Sequence, residues 1–147
     1  MFVENYATIF TEKLASFSPP NVGVVSPRAI NGNNQILTHD FVHRTHLDIF
    51  PTYYPVVFGD WFMDDWISHV YGNDHTCELA SVTTKHTLIH GQRYESDMRV
   101  SCFVEYELML GERRIADWLF DNRDKYVWPP SFWYDIATDI HMGNNPE

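Results

Sequence analysis

The run Asp60-Trp61-Phe62-Met63-Asp64-Asp65-Trp66 places two adjacent carboxylates between two indoles. Adjacent carboxylates repel, so the proton affinity of one rises and it can serve as a general base near neutral pH. Indole faces beside a carboxylate form a platform for the apolar face of a sugar. Trp61 and Trp66 therefore read as substrate contacts, and Asp64 and Asp65 as candidate catalytic groups. The same residues also fit a plain helix start, with Asp64 as N-cap and Asp65 as a first-turn acid, where the helix dipole favours anions.

Eight histidines form a second feature, with His39 and His43 four apart and His86 and His90 likewise. That spacing suits two metal ligands on one helix face. Neither pair is an HExxH motif, and no Glu stands between the members to act as a base. Beyond them, Gly91-Gln92-Arg93-Tyr94-Glu95 offers Arg93, whose planar fork suits a phosphate or carboxylate, with Tyr94 beside it. The seven glycines are scattered, and no GxGxxG, Walker A or Gly-x-Ser-x-Gly pattern occurs. Hydrolase and nucleotidase readings have no motif behind them.

These residues need elements to position them. Phe2, Tyr6, Ile9, Phe10, Leu14 and Phe17 follow helical spacing up to Pro19-Pro20, which stops a helix. Residues 22–25 read as a buried strand, 27–35 as a loop and 36–38 as a second short strand. The spacing then predicts a helix over about 40–50, a proline- and tyrosine-rich connector over 51–59, and a helix from Asp64 to a stop at Gly72. Residues 81–84 favour strand, and residues 97–120 read as one long or broken helix, with Gly111 as the point of any break. The pattern is α/β in one domain.

Composition narrows the function classes. With 147 residues, 44% of them hydrophobic, the chain can bury a core without disulfides. A net charge of −10 disfavours nucleic acid and anionic membrane partners. Cys77 and Cys102 have no CxxC partner, which excludes a thiolate zinc site; they read as two free, buried thiols, with a single disulfide between them as the alternative. No stretch reaches the roughly 18 apolar residues of a membrane span, and the start lacks a signal peptide's basic region. The chain reads as a soluble domain that carries no address for a compartment.

Residues 19–27 (PPNVGVVSP), 33–50 (NNQILTHDFVHRTHLDIF), Tyr53-Tyr54-Pro55 and 61–72 (WFMDDWISHVYG) together resemble the C-terminal, acceptor-side half of GT-A glycosyltransferases of algae, other protists and large viruses. The likeness covers residues 1–95. It leaves 96–147 as a helical and aromatic extension packed on them. It implies a partial GT-A-like mixed sheet with flanking helices and metal-dependent, inverting transfer of a sugar from a nucleotide sugar to a hydroxyl acceptor. Asp64 and Asp65 then match the acidic pair that holds the base. The likeness puts the base on Asp65 and an acceptor-hydroxyl contact on Asp64, with the reverse also open.

His86 matches a late histidine that completes a Mn2+ or Mg2+ site near the diphosphate. The family's metal-binding Asp-x-Asp triplet is absent from the sequence, so the donor half is expected to be missing from this chain. The implied partners are a nucleotide sugar and a glycan acceptor. An alternative keeps the fold without the catalysis, as a structural subunit whose exposed half-fold is covered by protein partners. A metal-dependent hydrolase built on the histidines is a third reading.

Overall fold

Val24 and Val25 are neighbours in sequence, and because strand side chains alternate they enter two separate hydrophobic clusters. That alternation organises the molecule. The computed structural model describes residues 5–30, 33, 35–85 and 97–126. Strand β1 (Val24–Ile30) is central, flanked by β2 (Phe41–Val42) and β3 (Thr76–Lys85). It pairs antiparallel with β2, Val24 opposite Val42 and Val25 opposite Phe41. With β3 it pairs in parallel, from Val24 opposite Thr76 to Ile30 opposite Lys85. The first four residues of β1 are buried without a break, as a strand covered on both faces requires.

Pro27 has no N–H to give the ladder, and the register slips immediately after it: Pro27 lies opposite Leu79 but Arg28 opposite Thr83. Residues 80–82 bulge out of the pairing. The bulge carries Val82 into the cluster under helix α1 (Tyr6–Ala15), where it meets Phe10, Leu14, Phe17 and Val25. On the other face, Val24 packs with Ile49 from α2 (Thr45–Ile49), Trp66 and Ile67 from α3 (Met63–His69), and Ile115 and Leu119 from α4 (Val104–Asp121). The result is an α/β domain of three layers around a small mixed sheet. No helix among the described residues is long and apolar enough to cross a membrane.

Two glycines answer to close approach. A Cβ on Gly23 would lie 2.5 Å from the His75 carbonyl oxygen, and its φ of +149° already favours glycine. The His75 ring is locked nearby, its Nδ1–H donating to the Val22 carbonyl at 2.6 Å. Gly111 lies inside α4, which does not break there. A Cβ on it would meet Val70 Cγ2 at 2.5 Å and Trp66 Cζ2 at 3.3 Å, so the glycine lets α4 sit close on α3.

Other local expectations also change. In place of a helix over 40–50 there is strand β2, two extended residues, and the five-residue α2. Phe41 and Val42 are better used in the ladder, where one packs towards each cluster. Residues 36–38 form no strand, although Leu37 is buried. Part of the expected loop over 27–35 is instead the end of β1, and β3 starts five residues before the β-favouring run at 81–84. A 3-10 helix over Met98–Phe103 precedes α4. Both cysteines are free, but Cys102 is exposed and Cys77 half-buried, so neither is a buried core thiol.

Candidate functional site

Phe62 takes a left-handed backbone (φ 71°) and turns the chain from the connector into α3. Asp64 and Asp65 follow in the first turn. The Asp64 backbone is tied down by Ser68, whose hydroxyl donates to the Asp64 carbonyl at 2.5 Å and accepts the Leu37 N–H at 2.7 Å. That bridge draws the 35–40 segment against the start of α3. It brings His39 and Asp40 close enough to act electrostatically on the Asp64 carboxyl.

Asp40 is held by two phenols. The Tyr53 hydroxyl donates to Oδ2 at 2.5 Å and the Tyr54 hydroxyl to Oδ1 at 2.6 Å. The two rings meet edge to face, with centroids 4.7 Å apart. Burial, then the hydrogen bonds to Asp40, push both phenols above their usual range, because ionising either would put an anion beside a carboxylate. The Asp64 carboxyl is also pushed up. Partial burial is the main cause, the charges of Asp40 and Asp65 add to it, and His39 opposes them. Asp40 does not stand out in the sequence. Its role rests on two tyrosines thirteen and fourteen residues away, and the one sequence signal is that adjacent half-buried tyrosines need partners for their hydroxyls.

The two indoles of the acidic run separate. Trp61 is 39% exposed and close in sequence to the carboxylates. Trp66, expected as a second substrate platform, is only 1% exposed. Its Nε1–H donates to the Glu107 carbonyl at 3.1 Å and its ring meets Phe50 edge to face, so it serves as a core residue joining α3 to α4. Its last exposed edge, with Pro51, Thr52, Pro55, Leu110 and Arg114, lines a cleft of about 260 Å³ between the connector and α4. Neither Asp64 nor Asp65 lines that cleft.

The histidines follow separate fates. His39 and His43 do not share a helix face: His39 Nδ1 bonds the Thr38 hydroxyl at 3.1 Å, and His43 Nδ1 bonds the Thr45 hydroxyl at 2.7 Å at the entrance to α2. His46 is buried. His86, His90, Arg93 and Tyr94 lie outside the described residues, so the expected metal ligand and anion contact have no described geometry. Among the described residues, no group of three or more His, Cys, Asp or Glu is placed to hold a metal ion.

The arrangement therefore offers one half-buried carboxylate with raised proton affinity, a second acid beside it, and one exposed indole nearby. Compared with family models, with curated proteins and with solved structures, the chain matches none.

Proposed function

We propose that the chain is the acceptor side of an inverting glycosyltransferase, with Asp64 as the base. The observation that carries this reading is the setting of Asp64: half-buried, flanked by Asp40 and Asp65, with its proton affinity raised. A base of this kind works best when its pKa approaches the operating pH. This reverses the order that the family likeness puts first, because burial and neighbouring charges raise the proton affinity of Asp64.

In this role the Asp64 carboxylate takes the proton of an acceptor hydroxyl as its oxygen bonds to the anomeric carbon of the donor. The bond to the nucleoside diphosphate breaks on the opposite face, so the configuration inverts. Trp61 supports the acceptor sugar ring by stacking, and Asp65 orients its hydroxyl. A Mn2+ or Mg2+ ion, for which the family likeness assigns His86, would offset charge on the departing diphosphate. The sequence holds no Asp-x-Asp triplet, so the reading draws the donor-binding part from outside these 147 residues.

A glycan-binding screen of the chain at pH 7 tests it without a donor. Binding confined to one glycan class, and weakened by Trp61→Ala, is the expected result. A chain that binds no glycan at millimolar concentration would remove the acceptor-side reading.

A second reading, a non-catalytic subunit of a larger assembly, has one observation in its favour. Met98, Phe103, Tyr106 and Met109 are exposed in the segment spanning the 3-10 helix and the start of α4. Apolar side chains exposed together often mark an interface. Light scattering of the isolated chain across concentrations checks it: a monomer at every concentration, with no dye binding to apolar surface, argues against this reading.

A further inference from the structure

His46 is 1% exposed, yet both of its ring nitrogens are engaged. Nε2 lies 2.8 Å from the Tyr53 carbonyl oxygen, and a carbonyl can only accept, so Nε2 carries the proton. The neutral ring then has its lone pair on Nδ1, which accepts the Tyr71 hydroxyl at 2.7 Å. The rings of Phe50, Tyr53 and Tyr71 enclose it, with centroids between 4.8 and 5.9 Å away. Among the described residues, the charged group that acts on it is Asp40, beyond Tyr53. A leucine or phenylalanine would fill this volume but strip the buried Tyr71 hydroxyl and the Tyr53 carbonyl of their partner, whereas the imidazole ties both. What the imidazole adds is a hold on one backbone carbonyl of the connector.

That carbonyl belongs to the residue whose phenol anchors Asp40. We infer that His46 is a positioning residue for Asp64: by gripping the Tyr53 carbonyl from inside the core, it sets the phenol that keeps Asp40 against the Asp64 carboxylate. Further along, the connector is anchored by Phe58, buried in the core with Tyr54 and Val57 packed on it, and the His46 bond fixes it at Tyr53. Thr52 braces it internally, its hydroxyl donating to the Tyr54 carbonyl at 2.7 Å. The consequence for transfer rests on reading Asp64 as the base, but the positioning does not, because the Asp64 titration can be followed with no substrate present.

The test is carbon-detected NMR titration of Asp64 in the full chain, with nitrogen-detected spectra of His46. In the wild type, His46 is expected as the neutral Nε2–H form. His46→Gln, whose amide reaches the Nε2 position, keeps the Asp64 midpoint. His46→Asn and His46→Leu, which cannot reach the Tyr53 carbonyl, release the connector, and the Asp64 midpoint moves down towards an ordinary carboxylate. An unchanged midpoint in a folded Asn or Leu variant overturns the proposal. A wild-type His46 carrying its proton on Nδ1 overturns it too, and that measurement needs no variant to fold. If glycan binding fails while the Asp64 midpoint still moves, only the glycosyltransferase reading falls.

Discussion

Gly111→Ala sets two known effects against each other in one helix. In an isolated helix the change would stabilise by about 1 kcal/mol, because alanine loses less backbone entropy than glycine. Here the new methyl would sit 2.5 Å from Val70 Cγ2 and 3.3 Å from Trp66 Cζ2. Both neighbours are fully buried, and valine is stiff at χ1, so Val70 cannot rotate clear. Overpacking of this kind costs about 1 to 3 kcal/mol, and a contact against a rigid partner belongs at the upper end. The net expectation is destabilisation by about 2 kcal/mol, with α4 pushed off α3. Urea unfolding followed by tryptophan fluorescence reads this as a midpoint lowered by about 1 M at a typical slope. In a Val70→Ala background the space exists, and the same substitution should become neutral or favourable. A raised midpoint for Gly111→Ala alone would refute the claim that this glycine is there for close packing.

Asp64→Asn should cut transfer by about a hundredfold or more once a donor and acceptor are known, with Asp65→Asn milder; equal losses would undo the assignment of the base. The same Asp64→Asn change should stabilise the fold at pH 7. A carboxyl whose proton affinity is raised on folding opposes the fold once ionised, so the gain is full above the folded pKa, fades as pH falls from there towards the ordinary carboxylate value, and is absent below it. Burial lowers the His46 pKa, so the folded state binds fewer protons than the unfolded one. Stability should be full above the ordinary histidine value and decline as pH falls through it; His46→Gln should flatten that part of the curve, as thermal melts from pH 7.5 to 5 would report. Trp61→Ala should leave stability within about 0.5 kcal/mol, as for other exposed positions, while weakening glycan binding about tenfold by titration.

How much of this was legible depended on whether a residue's role is local. The paired acids at the start of α3 are a local signal, and they fall where the spacing places them. The two indoles beside them are alike in sequence. Trp66 lies one turn before Val70 on the face that meets α4, while Trp61 precedes the left-handed turn at Phe62 and escapes the helix. Asp40 and His46 could not be read because their partners come from the connector, brought in by tertiary contacts. Gly111 shows the same limit from the other side: a glycine in an apolar pattern signals either a break or a close approach, and only the position of Val70 decides. The short strand at Phe41 lost to helix spacing because its β character comes from Val24 and Val25 across the ladder.

The bulge in β3 has a consequence of parity. Three residues, 80–82, are inserted between the partners of Pro27 and Arg28, and three is odd. An odd insertion exchanges the two sides of a strand, so the inward positions beyond it are those that would otherwise point out. Thr84 is therefore turned inwards, and Thr83 and Lys85 outwards, where Lys85 is exposed at the far end of the sheet. Removing any one of the three residues would leave an even insertion and reverse that order. The charged ammonium of Lys85 would then be driven under the sheet. The length of this small irregularity, rather than its composition, decides which side chains at the end of β3 face inwards.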